Sequence, residues 1–381
     1  MLEGLDKVDW QSIMTAHGPI EKIPEWLEQL ASPEKRARSR ALELLIEVAA
    51  HQGCDYPVTP FIVPFLIQHL QKDEVRIKAH ILTLLYNIGS IEKTGSDNKF
   101  SSFFDYHNLE QQIKHDNHWT KTFGEAPMVS YHKTHLAAAE GLEIYLNLIE
   151  TNPYLKVRIE ATYLLRGFPE YAKEFVPRLI PLILKEENPT LKANLLLTLA
   201  DVAEPDPTSF ELLEPLLSQK EKRKVRITSA YAQTCLLKEK TSDRATALLL
   251  SAIRKSPDIL KGHHYRYPSL GIGEVAPALC NLEESKYPVI SEALWEGLNN
   301  GKSWHSLSIL VPLFYLTFRN PFPSSDINLD ELTELQWLIL DYVATESHLW
   351  NSFHEYKTRR LLNYYNLPSH PEELHQLLNQ S

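Results

Sequence analysis

Cysteine is scarce in this chain of 381 residues. There are three, Cys54, Cys235 and Cys280, far apart and without a C-x-x-C pair. That excludes a disulfide framework and a zinc ribbon, and it fits a reducing compartment. Long hydrophobic runs are missing as well. The longest, 307–318, carries Pro312 and falls short of the ~20 residues that a bilayer-spanning helix requires. The first residues hold Glu3, Asp6, Lys7 and Asp9 rather than a charged-then-apolar signal segment. A cytoplasmic location without membrane association is therefore expected. A basic excess is lacking too: the net charge is −10, against the positive footprint that nucleic-acid binding needs. The densest basic stretch, Lys220, Lys222, Arg223, Lys224 and Arg226, reads as a solvated turn between helices. Strand signals are nearly absent, with no clear period-two run bounded by hairpin turns.

Catalytic signatures are also thin. Gly301-Lys302-Ser303 lacks the earlier glycine and the strand of a phosphate loop, since Glu296 stands where that glycine belongs. Gly271-Ile272-Gly273-Glu274-Val275-Ala276 has glycine spacing but no strand expected before it, and reads as a turn feeding a helix over 275–282. Neither G-x-S-x-G nor H-E-x-x-H occurs. Ser32 and Lys35 stand at a helix start, where serine suits an N-cap.

What is present is a short pattern that recurs: an apolar or small residue, a basic residue, two variable residues, then usually a small one. It reads Ala37-Arg38-Ser39-Arg40-Ala41, Val75-Arg76-Ile77-Lys78-Ala79, Val157-Arg158-Ile159-Glu160-Ala161, Leu191-Lys192-Ala193-Asn194-Leu195 and Val225-Arg226-Ile227-Thr228-Ser229. The basic residues are 38, 82, 34 and 34 positions apart. Such a period implies stacked helical units rather than one closed globule. The second copy carries two apolar series at helical spacing, Val75, Ala79, Leu82, Tyr86 and Ile77, Ile81, Leu84, Ile88. Two stripes imply burial against two neighbours. Apolar helical segments precede the copies, at 24–30, 60–70, 173–184 and 210–217. Pro64, Pro177, Pro181 and Pro215 lie inside those segments, where proline kinks a helix. The reading is an all-α chain, a right-handed α-solenoid of about eight helix pairs.

The paired helices, the prolines in the first helix and the V-R-x-x-A start of the second resemble HEAT repeats, including the short phycobilisome-lyase type. The stretches Trp10…His17-Gly18-Pro19…Ile23-Pro24 and His51-Gln52-Gly53…Tyr56…Pro64-Phe65-Leu66, with the closing Tyr365-Asn366-Leu367-Pro368…Glu372-Glu373-Leu374, resemble bacterial HEAT-repeat proteins of undetermined activity. The resemblance implies a HEAT/armadillo-like superhelix with a regular part over 1–241 and less regular pairs over 242–381, continuous with it. It also implies a non-catalytic scaffold that binds a protein partner, with an inhibitor or immunity role as its specific form. DNA-glycosylase-like and chromophore-lyase-like activities are the alternatives the family leaves open. A monomer with no cofactor and no metal is expected.

The double step between Arg76 and Arg158 is one unit plus an insertion at 91–130. This stretch loses helical periodicity yet is rich in aromatics, and long insertions in repeat arrays often sit on the binding face. Phe103, Phe104, Tyr106, His115, His118 and Trp119 are the candidate partner-binding residues. His115-x-x-His118 and His132-x-x-His135 have spacing that metals favour, but surface or capping roles are expected for them. The aromatics of the C-terminal third, Trp295, Trp304, Trp337, Trp350, Tyr364 and Tyr365, stand at core-like spacing. The Trp10 region and a helix at 371–378 are expected to cap the ends of the array.

Overall fold

The computed structural model describes residues 2–51, 54–90, 121–122, 124, 127–206, 209–256, 258–260, 270–300, 306–323, 329–352 and 354–379. Among these the fold is helical: eighteen α-helices, with one two-stranded antiparallel pairing. Eighteen exceeds the sixteen that eight pairs would supply. No helix among the described residues is long and apolar enough to cross a membrane. The residues divide into two compact units, the first ending at Ala203 and the second beginning at Glu204.

The first unit opens with α1 (Ile23–Gln29), α2 (Lys35–Ala49), α3 (Thr59–Gln71) and α4 (Lys78–Gly89). It continues with α5 (Pro127–Ala139), α6 (Leu142–Thr151), α7 (Leu155–Leu164), α8 (Ala172–Lys185) and α9 (Pro189–Val202). Helices α1 and α2, α3 and α4, α6 and α7, and α8 and α9 pack as pairs. The second members also pack in succession, α2 on α4, α4 on α7 and α7 on α9. The stripes predicted for the second copy are covered except at Ile77: Val75, Ala79, Leu82 and Tyr86 are buried, as are Ile81, Leu84 and Ile88, whereas Ile77, just before α4, is half-buried. The first copy has only one buried stripe, Arg38, Ala41, Leu45 and Val48.

The basic residue of the repeat stands fourth in α2, α7 and α9. Its side chain has a definite task where the bonds are resolved. Arg38 donates from Nη1 to the carbonyls of Ser32 (2.8 Å) and Pro33 (2.9 Å) in the turn after α1. Arg158 donates from Nε to the Ile149 carbonyl in the last turn of α6 (2.6 Å). The final carbonyls of a helix have no partner within it and form the negative end of its dipole, so a guanidinium there satisfies both needs. The second copy differs: Arg76 precedes α4, which begins only at Lys78. Ser32 does not cap the first turn of α2. Its hydroxyl accepts the Glu34 N–H (3.2 Å), one residue before the helix.

Helix α8 continues through Pro177 and Pro181, which lie on its exposed face, while Phe175, Leu179 and Ile183 are fully buried. The missing N–H groups thus fall toward solvent, where an absent hydrogen bond is least costly. After α7 the chain tightens into a 3₁₀ turn, Leu165–Gly167. A Cβ at Gly167 would meet Ser90 Cβ at 2.2 Å, so only glycine fits that approach.

The second unit holds α10 (Ser209–Leu213), α11 (Arg223–Leu236), α12 (Asp243–Lys255), α13 (Ile272–Leu279), α14 (Tyr287–Asn299) and α15 (Ser306–Phe318). It ends with α16 (Glu334–Thr345), α17 (Glu355–Tyr364) and α18 (Pro371–Leu378). Proline breaks the segment expected as one helix at 210–217: Pro215 lies in a separate 3₁₀ turn, Glu214–Leu217. Arg226, again the fourth residue of its helix, donates to the Leu217 carbonyl at the end of that turn (3.3 Å). A strand does precede Gly271, against expectation: β1 (Asp258–Leu260) pairs with β2 (Leu270–Gly271). Helix α13 then starts with the Gly271 N–H on the Glu274 carboxylate (2.7 Å) and ends at Leu279, short of the expected 282. Around α15, Phe314, Phe318 and Tyr365 pack ring against ring.

Candidate functional site

The six residues expected to bind a partner, Phe103, Phe104, Tyr106, His115, His118 and Trp119, lie outside the described residues, as does most of 91–130. The end of that stretch is not loop. Residues 127–130 already belong to α5, which packs on α3 and α4. Of the second histidine pair, His132 is exposed and His135 is buried. His135 Nδ1 bonds the Gly89 carbonyl (2.7 Å), its Nε2 pairs with Glu170, and its ring stacks on Phe168 with centroids 5.0 Å apart. Both ring nitrogens are engaged, so this imidazole is structural. The basic stretch is partly structural as well, since Arg223 donates to the Ile259 carbonyl (3.1 Å). In the C-terminal third, Tyr365 is core and the Trp350 indole N–H bonds the Val343 carbonyl (2.8 Å), whereas Trp337 and Tyr364 are exposed.

A different cluster is assembled at the head of the first unit. Glu47 stands in the last turn of α2 and His51 follows one turn later, in the i,i+4 relation that puts two side chains on one face. His17 reaches the same place from a tight turn. There Thr15 and Gly18 exchange backbone hydrogen bonds (3.2 Å each), and the Thr15 hydroxyl both donates to the Gly18 carbonyl (2.6 Å) and accepts the His17 N–H (3.0 Å). Gly18 has φ of +88°, a conformation that other residues adopt only at a cost. The turn is tied to the next loop by Val58 N–H on the Met14 carbonyl (3.2 Å).

The two imidazoles meet one carboxylate oxygen. His17 Nε2 lies 3.0 Å and His51 Nδ1 2.9 Å from Glu47 Oε1, and the rings stand edge to face with centroids 5.2 Å apart. The hydrogen bond from His17, with the charges of both histidines, holds the Glu47 carboxyl below its usual value. The three side chains are 47%, 52% and 30% exposed, so solutes reach them freely.

Cys54, Asp55 and Tyr56 follow His51 closely in the chain. Burial, then the charge of Asp55, pushes the Cys54 thiol up, the opposite of what a nucleophilic thiolate needs. Burial pushes the Asp55 carboxyl up to about 8 despite the Thr134 hydroxyl beside it. The loop is braced by Thr59, whose buried hydroxyl donates to the Ala49 carbonyl (2.7 Å) and accepts the Tyr56 N–H (2.9 Å).

Sequence inspection did not bring these residues together. Glu47 and His51 at i,i+4 were visible in principle, but nothing local links them to His17, thirty positions earlier than Glu47. No family model matches the chain, and no curated protein matches it.

Proposed function

We propose that this chain is a non-catalytic scaffold of HEAT-like construction, located in the cytoplasm, that presents a curved helical surface to a protein partner. The observation that carries the reading is the succession in the first unit, where α2, α4, α7 and α9 each pack on the next. The basic residue of the motif, fourth in α2, α7 and α11, bonds the carbonyl end of the preceding helix or turn, which supports a repeated unit. Such units bury their apolar faces on their neighbours and leave long surfaces for binding. In this reading the pairs continue into a right-handed superhelix, with the Trp10 region and α18 covering its ends.

Solution scattering tests the architecture. A compact globule of this length has a radius of gyration of about 21 Å. A superhelical array exceeds it by several ångströms, and a value at or below 21 Å rejects the array. The binding role is tested by affinity capture from native lysate followed by reconstitution with the purified candidate. A stoichiometric complex supports it; candidates that all fail on reconstitution count against it.

A further inference from the structure

We propose that His17, Glu47 and His51 form a binding site for a divalent transition-metal ion of the zinc class. The inference goes beyond the scaffold reading and rests on its own geometry. An ordinary surface ion pair joins one cation to one carboxylate. Here two imidazole nitrogens from separate segments converge on the same oxygen, Glu47 Oε1, at 3.0 and 2.9 Å. All three ligand atoms lie within 4.8 Å of one another.

A tetrahedral ion with bonds of about 2.0–2.1 Å needs its ligand atoms roughly 3.3 Å apart. Small rotations of the exposed side chains lengthen the two short edges by a few tenths of an ångström and bring the two imidazole nitrogens, which lie within 4.8 Å of each other, to the same spacing. Two imidazoles and a carboxylate form the ligand set of open, three-ligand zinc sites, and imidazole selects zinc, nickel or copper over magnesium and calcium. Exposure on one side leaves the fourth position to water or to a donor from a bound partner. The backbone is suited to the task as well. Glu47 is carried by a regular helix, and His17 by a turn closed by the paired backbones of Thr15 and Gly18 and by the Thr15 hydroxyl. A bound ion would fasten the segment before α1 to the end of α2.

The test uses the full chain, freed of metal by a chelator and titrated calorimetrically with Zn²⁺, with Co²⁺ absorption reporting coordination. One ion per chain and a tetrahedral Co²⁺ spectrum are expected. His17→Asn and His51→Asn should each weaken Zn²⁺ binding by more than about 100-fold, since even an outer-shell partner can cost that much. Glu47→Gln should weaken it and alter the Co²⁺ spectrum. His132→Asn, at an exposed imidazole on α5, should leave binding unchanged. Because the three side chains are solvent-accessible, the variants keep the helical circular dichroism of the parent, which separates ligand loss from misfolding. Zinc binding that survives the His17→Asn, His51→Asn double variant belongs to other histidines and overturns the proposal. So does an absence of binding by the parent, or Mg²⁺ binding as tightly as Zn²⁺.

Discussion

Replacing Arg158 with alanine tests the physical meaning of the repeated basic residue. The Arg158 side chain donates to the Ile149 carbonyl (2.6 Å) and to Glu186 Oε2 (2.6 Å), which joins the end of α6 to the end of α8. Glu186 in turn accepts the Asn188 N–H (2.8 Å), and the Asn188 side chain caps α9 through the Thr190 and Leu191 N–H groups. One guanidinium therefore steadies two successive helix pairs. Hydrogen bonds to charged groups contribute about 1.5–3 kcal/mol, and breaking a buried pair costs about 3–5 kcal/mol. The Glu186 side chain is only 10% exposed, but Arg158 keeps 23% of its surface in water, which lowers the expected loss to about 2–4 kcal/mol. At roughly 2–4 °C per kcal/mol for a unit of this size, the transition of the first unit should fall by about 4–16 °C. Amide hydrogen exchange should rise in α7, α8 and α9, a readout that does not require the two units to unfold together. Arg158→Lys keeps the charge but lacks the fork, so it should recover only part of the loss. An alanine variant within about 0.5 kcal/mol of the parent, with exchange unchanged across those helices, would refute the linking role.

Three further perturbations bear on packing and on burial of charge. Ala161→Leu, at a fully buried position of α7, should overpack the helix contact by about 1–3 kcal/mol, read as a lower melting temperature. Tyr145→Phe removes a buried hydroxyl that donates to the Ala138 carbonyl (2.8 Å), and should cost about 1 kcal/mol in urea unfolding. Asp55, raised by burial from 3.8 to about 8, binds a proton in the native state that the unfolded chain has released between those values. Its contribution to stability therefore falls as pH rises from about 4 to 8, by at most ~1.4 kcal/mol per pH unit, and levels off above 8. Asp55→Asn, measured in chelator, should flatten that slope and gain most over the parent near pH 8; parallel pH profiles would contradict the buried, protonated carboxyl.

All but one of the side chains that helical periodicity marked in the second copy are covered, Ile77 being only half-buried. Val75, Ala79, Leu82 and Tyr86, and likewise Ile81, Leu84 and Ile88, are buried as the spacing requires, and the bounds of α18, Pro371–Leu378, are those expected. The pattern was less telling near proline and in α2. Pro215 ended a helix that the apolar spacing alone would have carried on, and α2 covers a single stripe. Among the site residues, His135 shows why histidine spacing says little by itself: its partners, Gly89, Glu170 and Phe168, come from elsewhere in the chain.

By itself the sequence determined the helical class, the recurring unit and the apolar faces, because those properties depend on residues three, four and seven positions apart. Tertiary structure alone decided the destination of each guanidinium, the need for glycine at 167 beside Ser90, and the meeting of His17 with Glu47 and His51. Such meetings depend on how distant segments fold back on one another, and local propensity carries no information about the contacts that result.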